Sequence, residues 1–142
     1  MEASEKRRQE DFVTATATPS LVSVVDDDES VRESLPELLR QCGFDARAFS
    51  SAEEFLASGC VGLTECLILD VAMPGMTGPD LHRELTRRGQ VSPTVFITAQ
   101  RDDITRTRLI GQGAVECLFK PFSDTALLHA VNTALGEAGE PP

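Results

Sequence analysis

Short apolar runs alternate along this chain with longer stretches whose apolar residues recur every three or four positions. Each run is too short for a helix, so the pattern predicts five strands spaced by roughly 21–28 residues. A Pro-Gly turn closes the third run, and polar residues follow most of the others. The predicted strands are residues 21–25, 44–49, 66–70, 94–97 and 115–119.

The stretches between the runs have helical spacing and recognisable ends. Gly43 ends the first helix as a C-cap. Pro36 lies inside that helix and removes one backbone hydrogen bond at a cost of about 3 kcal/mol, so we expect a kink or a late start. Ser51 and Glu54 fit a capping box at the start of the second helix. The predicted helices are residues 29–42, 52–58, 78–88, 103–112 and 124–135.

Strands that alternate with helices favour an α/β fold in which a parallel sheet has helices on both faces. Right-handed crossovers and one switch point favour a flavodoxin-like (βα)5 three-layer sandwich with sheet order 2-1-3-4-5. The sequence alone permits other strand orders. We expect a single domain over residues 21–135, a disordered N-terminal tail at residues 1–20 and a frayed C-terminus at residues 136–142.

Charge and composition narrow the possible functions. The net charge of −10 argues against a nucleic-acid-binding surface, which needs many Lys and Arg contacts to phosphate. No apolar run approaches the roughly 20 residues of a membrane helix, and the first 20 residues lack an apolar signal core. We therefore expect a cytoplasmic protein. The four cysteines show no CxxC spacing, which favours reduced thiols over disulfides or a zinc site.

Polar groups of complementary charge follow four of the predicted strands. Three aspartates at 26–28 follow the first strand, Asp70 ends the third, Thr98 follows the fourth and Lys120 follows the fifth. In an open parallel sheet, ligands bind beyond the carboxyl ends of the strands at the switch point. The order 2-1-3-4-5 places the first and third strands side by side. The pattern therefore predicts one site, built for a divalent cation and a phosphoryl group.

The chemistry of these groups favours Mg²⁺ and phosphoryl transfer. Crowded carboxylates repel each other, and Mg²⁺, which takes oxygen ligands, removes that conflict. One carboxylate could then attack phosphorus while Lys120 and the Thr98 hydroxyl contact phosphate oxygens. Each residue alone has an ordinary interpretation, since acidic runs cap helices and a strand-end aspartate often makes a turn. Their joint placement at four strand ends favours the site.

Four stretches of the sequence carry a resemblance to a known family. They are VVDDDE at 24–29, LDVAMPGMTG at 69–78, ITA at 97–99, and the segment that begins with Gly113-Ala114 and ends with KPF at 120–122. Residues 21–135 resemble the receiver domain of two-component response regulators and are most similar to the branch that includes regulators of nitrogen fixation. These motifs occur in the same order as in the family and extend over nearly the whole chain.

The resemblance implies a role for each residue of the site. Asp70 is then the phosphorylation site, and Asp27, Asp70 and the backbone carbonyl of Ala72 bind Mg²⁺ while Asp26 helps through water. Three consecutive aspartates leave the register open, and we assign the site to the first two because they directly follow the strand. The resemblance also implies that Thr98 contacts the phosphoryl group and takes part in signalling.

The resemblance also has implications for Lys120 and for the residues near it. The resemblance assigns the ammonium of Lys120 to phosphoryl contact, and we expect the Lys120-Pro121 bond to be cis so that the lysine turns into the site. The family usually has an aromatic residue three positions before this lysine, where this chain has Cys117. The helix at 103–112 is weak in sequence, so we predict that it responds to phosphorylation together with Phe119.

Several functions agree with these features. We expect a stand-alone receiver that is phosphorylated by a sensor histidine kinase or phosphotransfer protein and signals to a downstream protein, because few residues follow the last helix. It would bind neither nucleic acid nor membrane, would be a monomer or weak homodimer, and would catalyse only its own phosphorylation and dephosphorylation. An alternative is the receiver half of a DNA-binding regulator. A remote alternative, a haloacid-dehalogenase-like phosphatase, needs an aspartate where this chain has Ala72.

Overall fold

The computed structural model describes residues 19–139, in which five strands and five helices alternate. The strands are β1 (Leu21–Val25), β2 (Asp45–Phe49), β3 (Cys66–Asp70), β4 (Thr94–Thr98) and β5 (Glu116–Phe119). The helices are α1 (Glu29–Gln41), α2 (Ala52–Ala57), α3 (Gly78–Arg87), α4 (Asp103–Gly111) and α5 (Asp124–Gly139). All ten predicted elements are present, and apart from the end of α5 their bounds lie within one residue of the prediction.

The five strands form one parallel sheet in the order β2-β1-β3-β4-β5, which confirms the predicted flavodoxin-like fold. The central strands β1 and β3 pair in register, with Val24 opposite Ile68 and Val25 opposite Leu69. Every residue of β1, β3 and β4 is buried, whereas the edge strands β2 and β5 are partly exposed. Long apolar strands buried on both faces are typical of a parallel sheet covered by helices.

The helices divide between the two faces of the sheet and bury a separate apolar cluster on each. On one face, α1 and α5 contribute Leu39 and Leu127 to a cluster with alternate residues of the central strands. On the other face, residues of α2, α3 and α4 pack together, among them Phe55, Leu81 and Leu109. The period-2 alternation of the strands therefore explains how each one supplies both clusters.

Two features considered for the helix N-termini differ from the structure, although both helices begin at the predicted residues. Helix α1 begins at Glu29 with Asp28 as its N-cap and runs through the buried Pro36, so the late start that we considered is wrong. At α2, the Ser51 hydroxyl accepts from the Glu54 amide, but the Glu54 carboxylate accepts from the amide and hydroxyl of Ser50 instead of completing a capping box. Ser50 offers that carboxylate two donors where the N-cap amide offers one.

The C-terminal helix is longer than predicted. Helix α5 continues past residue 135 to Gly139, because a glycine within a helix, such as Gly136, costs only about 1 kcal/mol. The fraying expected at residues 136–142 stays a prediction. Residues 1–18, which include most of the predicted tail, and residues 140–142 lie outside the described residues. Among the described helices, none has the length and apolar character that crossing a membrane requires.

Candidate functional site

The carboxyl ends of β1 and β3 bring three aspartates together. Because Val25 pairs with Leu69, the residues that follow them, Asp26 and Asp70, lie at the same edge of the sheet. Carboxylate oxygens of Asp26, Asp27 and Asp70 all lie within 4.8 Å of one another. The register of β1 and β3 thus brings together the carboxylates of Asp26 and Asp70, which are 44 residues apart in sequence.

The third aspartate of the run, Asp28, has a different role. Its carboxylate accepts from the backbone amide and the hydroxyl of Ser30 and caps α1. Its own amide donates to Asp26 Oδ1 at 2.9 Å and so holds the buried Asp26 side chain in place. The structure therefore brings the first two aspartates to Asp70 and turns the third toward the helix. Their assignment as metal ligands stays a prediction.

Lys120 places a positive charge among these carboxylates. Its Nζ lies 2.8 Å from Asp26 Oδ2 and 3.8 Å from Asp70 Oδ1. Burial disfavours the ammonium, but the hydrogen bond to Asp26 and the charges of the nearby carboxylates outweigh this and raise the pKa of Lys120. The Lys120-Pro121 bond that follows is cis, as predicted.

The surroundings of Asp70 disfavour its ionised form. Its carboxyl is buried, and burial together with the neighbouring Asp26 raises its pKa from the ordinary 3.8 to about 7. One ammonium faces three carboxylates, so the cluster carries excess negative charge. Hard oxygen donors with unneutralised charge are the ligands that Mg²⁺ prefers in proteins, and the residues present therefore fit this ion.

Thr98 and Ala72 border the cluster on neighbouring elements. Thr98 ends β4 and is 4% exposed, and its hydroxyl accepts from the Gln100 amide at 3.1 Å. Its carbonyl accepts from the Lys120 amide at 2.7 Å, which ties the ends of β4 and β5 together. Ala72 is exposed in the loop between β3 and α3 and follows Asp70 by two residues.

Three residues that support this site were not predicted from the sequence. Gly78 packs so closely on β3 that a Cβ there would lie 2.1 Å from the Asp70 carbonyl oxygen. The Arg32 Nη1 donates to the Asp26 carbonyl at 3.0 Å, and the Glu53 carboxylate accepts from the Met76 amide at 3.1 Å. Neither contact has a sequence signal, because each depends on how a helix packs beside a loop.

The α4–β5 edge contains the chain's departure from the family pattern. Cys117 is buried against the face covered by α3 and α4, and its carbonyl accepts from Arg106 Nε at 3.1 Å. The same arginine forms an ion pair with Glu116 at 2.8 Å. Phe119 is half-buried, and the Arg101 guanidinium lies over its ring at 5.6 Å from the centroid.

Comparison with known proteins gives a consistent result. Residues 22–132 match the response regulator receiver domain. The chain is 44% identical over 121 residues to Nodulation protein W of Bradyrhizobium diazoefficiens, a match that covers 85% of this chain and 53% of that protein. It spans about half the length of the curated relatives it matches.

Solved structures agree in fold and sequence. The response regulator StyR superposes with a TM-score of 0.78 at 43% identity, covering 85% of this chain and 61% of that one. FixJ-N superposes with a TM-score of 0.74 at 34% identity, covering 84% of this chain and 95% of that one. From the matched residues, the strand order and these similarities, the chain belongs to the response regulator receiver domain family.

Proposed function

We propose that this receiver domain accepts a phosphoryl group on Asp70 in a magnesium-dependent reaction. The observation that carries the proposal is the group of three carboxylates within 4.8 Å of one another with the Lys120 ammonium 3.8 Å from Asp70. Receiver domains generally use Mg²⁺ and interact with histidine kinases or phosphotransfer proteins. The phosphodonor is therefore a phosphohistidine of such a partner.

The reaction needs a nucleophile, charge neutralisation and positioning. An Asp70 carboxylate oxygen attacks phosphorus and forms an acyl phosphate, while the phosphorus–nitrogen bond to the donor imidazole breaks and its electron pair stays on the imidazole. Asp27, Asp70 and the Ala72 carbonyl would hold Mg²⁺, with Asp26 helping through water, and the charge of the ion, when it is bound, would favour ionised Asp70 and offset the phosphoryl oxygens.

Lys120 and Thr98 contribute to the same step from the neighbouring strand ends. The Lys120 ammonium, which is held 2.8 Å from Asp26, provides a fixed positive charge for a phosphoryl oxygen. The Thr98 hydroxyl accepts from the Gln100 amide and so keeps its own proton free to donate to another phosphoryl oxygen. The domain acts on itself, and its product is a signalling state, so we do not propose a separate substrate.

The output of the phosphorylated domain is a contact with a downstream protein. An alternative is that this domain is the receiver half of a transcriptional regulator, which is favoured by the length of relatives such as Nodulation protein W and the transcriptional regulatory protein FixJ. In either case the net charge of −10 opposes direct DNA binding by these residues. We propose a cytoplasmic domain that is a monomer or weak homodimer.

Labelling with a small phosphodonor tests the proposal. Phosphoramidate with Mg²⁺ should add one acid-stable, base-labile phosphoryl group, detected by intact mass, and EDTA should block it. Asp70→Asn should abolish labelling. Asp28→Ser is the matched control, because serine also caps a helix and Asp28 lies outside the cluster, so labelling should persist. Equal labelling of Asp70→Asn and wild type would refute the assignment.

A further inference from the structure

The loop between β3 and α3 carries Ala72 and is held by backbone–backbone hydrogen bonds at its two ends. The Val71 amide donates to the Ile97 carbonyl, and the Gly78 amide donates to the Val71 carbonyl at 3.1 Å. Among the described residues, the backbone of 72–76 makes a single hydrogen bond, from the Met76 amide to Glu53. The loop therefore has one polar support in the span that includes the expected carbonyl ligand.

Glu53 provides that support from a different element. It lies in the first turn of α2, 23 residues before Met76, and its Oε2 accepts from the Met76 amide at 3.1 Å. The neighbouring Gly75 has a φ of +73°, and a Cβ there would lie 3.0 Å from the same Oε2. Gly75 thus has no side chain where the Glu53 carboxylate approaches. The hydrogen bond to Met76 and the glycine at 75 both indicate a close contact between α2 and the loop.

The buried Met73 side chain anchors the same loop to the apolar cluster beneath α2 and α3. An apolar anchor fixes the depth of a loop but leaves its backbone free to rotate, whereas a hydrogen bond to a backbone amide also fixes the orientation of the peptide groups. Glu53 is therefore placed to limit the backbone conformations of the segment that contains Ala72.

We propose that Glu53 is a positioning residue for the magnesium site, acting through the Met76 amide on the loop that carries Ala72. The inference rests on the proposed function, because it assumes that the carboxylates and the Ala72 carbonyl bind Mg²⁺. Glu53 is not itself among the clustered carboxylates. It raises affinity by holding a ligand-bearing loop in place before the ion binds, which lowers the entropy lost on binding.

Glu54 is a matched control within the same helix turn. It is also an exposed glutamate in the first turn of α2, so both residues interact similarly with the helix dipole. Its carboxylate accepts from the amide of Ser50 at 2.6 Å, and of the two glutamates only Glu53 has a described hydrogen bond to the β3–α3 loop. A loss that follows Glu53 and not Glu54 therefore reports the loop contact and not the stability of α2.

The experiment measures binding of Mg²⁺ alone by calorimetry, and exchange of the Met76 amide with solvent in metal-free protein by NMR. Glu53→Ala should weaken Mg²⁺ binding about fivefold, as expected for the loss of one hydrogen bond, and should speed exchange at Met76. Glu53→Gln retains an acceptor oxygen and should remain within about twofold of wild type on the same basis. Glu54→Ala should match wild type in both measurements.

Three outcomes would overturn the inference. They are wild-type affinity in Glu53→Ala, equal losses in Glu53→Ala and Glu54→Ala, and a Glu53→Gln variant as weak as Glu53→Ala, which would assign the effect to charge. Failure of the proposed function has a different signature, because wild type would then show no saturable Mg²⁺ binding that Asp27→Asn abolishes. Wild-type binding with an unchanged Glu53→Ala refutes only the role of Glu53.

Discussion

The acidic end of the sheet, which carries Asp26, Asp27 and Asp70, and the edge formed by α4 and β5 are stabilised by different kinds of contact. At the acidic end, Asp26 is fully buried and is bonded through its carboxylate to Lys120 and through its carbonyl to Arg32. At the α4–β5 edge, Leu109 is the one buried residue of α4, and Ile104 is 78% exposed. The acidic end is therefore fixed by several polar contacts of a buried residue, whereas α4 is held to the sheet by few buried side chains.

From this difference we expect the chemical step at the acidic end and the response to it at the α4–β5 edge. Regions with few buried apolar contacts open at a lower free energy than the core does. A phosphoryl group can change the surface only through an element with two arrangements of similar energy, and α4 with β5 meets that requirement better than the acidic end. Changes at the acidic end should therefore affect the whole fold, and changes at the edge should stay local.

The largest expected effect is the loss of stability when a side chain is added at Gly78, which packs against the backbone of Asp70. Gly78→Ala would place a Cβ 2.1 Å from the Asp70 carbonyl oxygen, and because that neighbour is backbone, we expect a loss of about 3 kcal/mol or more in the free energy of unfolding. Gly111→Ala at the end of α4 is the control, since its Cβ would meet nothing within 4 Å and alanine favours helix. Urea denaturation followed by circular dichroism measures both, and similar losses would contradict the comparison.

The next effect is the pH dependence of the metal-free protein. The Asp70 pKa is about 7 in the folded state and 3.8 ordinarily, so between these values the folded state keeps a proton that the unfolded chain releases. Stability should therefore fall as the pH rises from about 4 to 7 and level off above that. Asp70→Asn cannot ionise and should be more stable than wild type at pH 8, by on the order of 2 kcal/mol, with no advantage near pH 4.

Mg²⁺ provides the counter-test for that pH dependence. Adding it at pH 8 should stabilise wild type more than Asp70→Asn, because the ion relieves a repulsion that the variant lacks. The measurement is the urea midpoint in EDTA and in MgCl₂ over the pH range. Parallel pH profiles of the two proteins in EDTA would show that Asp70 is not the group responsible.

A smaller effect is expected from Arg106, which connects α4 to β5. Arg106→Ala removes the bonds to the buried Cys117 carbonyl and to Glu116. Because both bonds are only partly shielded from solvent, their loss should cost about 1 kcal/mol. Amide exchange should accelerate in α4 and β5 and stay unchanged at Asp26 and Asp70. Arg108→Ala, an exposed position of the same helix, is the control, and equal acceleration in that variant would exclude a specific role for Arg106.

The residues at strand ends were predictable because their positions follow from local rules. Where an apolar run stops, the next residue lies at the edge of the sheet, and the crossover rule then places β1 beside β3. Asp26, Asp70, Thr98 and Lys120 could therefore be assigned to one edge without coordinates. The choice between Asp27 and Asp28 also followed from distance along the chain, and the helix-capping role of Asp28 explains why it points away.

The supporting contacts could not be predicted because they depend on tertiary packing. The Glu53 contact joins residues 23 apart through a loop conformation that no local pattern encodes. The sequence around Ser51 fits a capping box equally well whether Glu54 bonds to Ser51 or, as observed, to Ser50. The burial of Cys117 follows from the pairing of β5 with β4 and from the apolar cluster that it shares with Leu109 of α4.

The smallest expected effect concerns Phe119, which we predict responds in place of the aromatic residue that Cys117 replaces. Its ring lies beneath the Arg101 guanidinium, and its backbone pairs with Thr98, so it connects the expected phosphoryl contact to the start of α4. A cation–π contact between this half-buried ring and the exposed Arg101 contributes about 0.5–1 kcal/mol, which is small enough to be exchanged for another arrangement. Adding beryllofluoride and Mg²⁺ to wild type should change amide exchange across residues 103–119.

Phe119→Ala should reduce that change without altering exchange at Asp26 or Asp70, because only the relay between β4 and α4 is removed. Ile104→Ala is the matched control, since it removes an apolar side chain that is 78% exposed on α4, within the same region 103–119, whereas it is Phe119 that pairs with Thr98. An identical response in Phe119→Ala and wild type would mean that Phe119 is a fixed packing residue. A wild type that responds only outside residues 103–119 would place the responsive surface elsewhere and remove the contrast between the two regions.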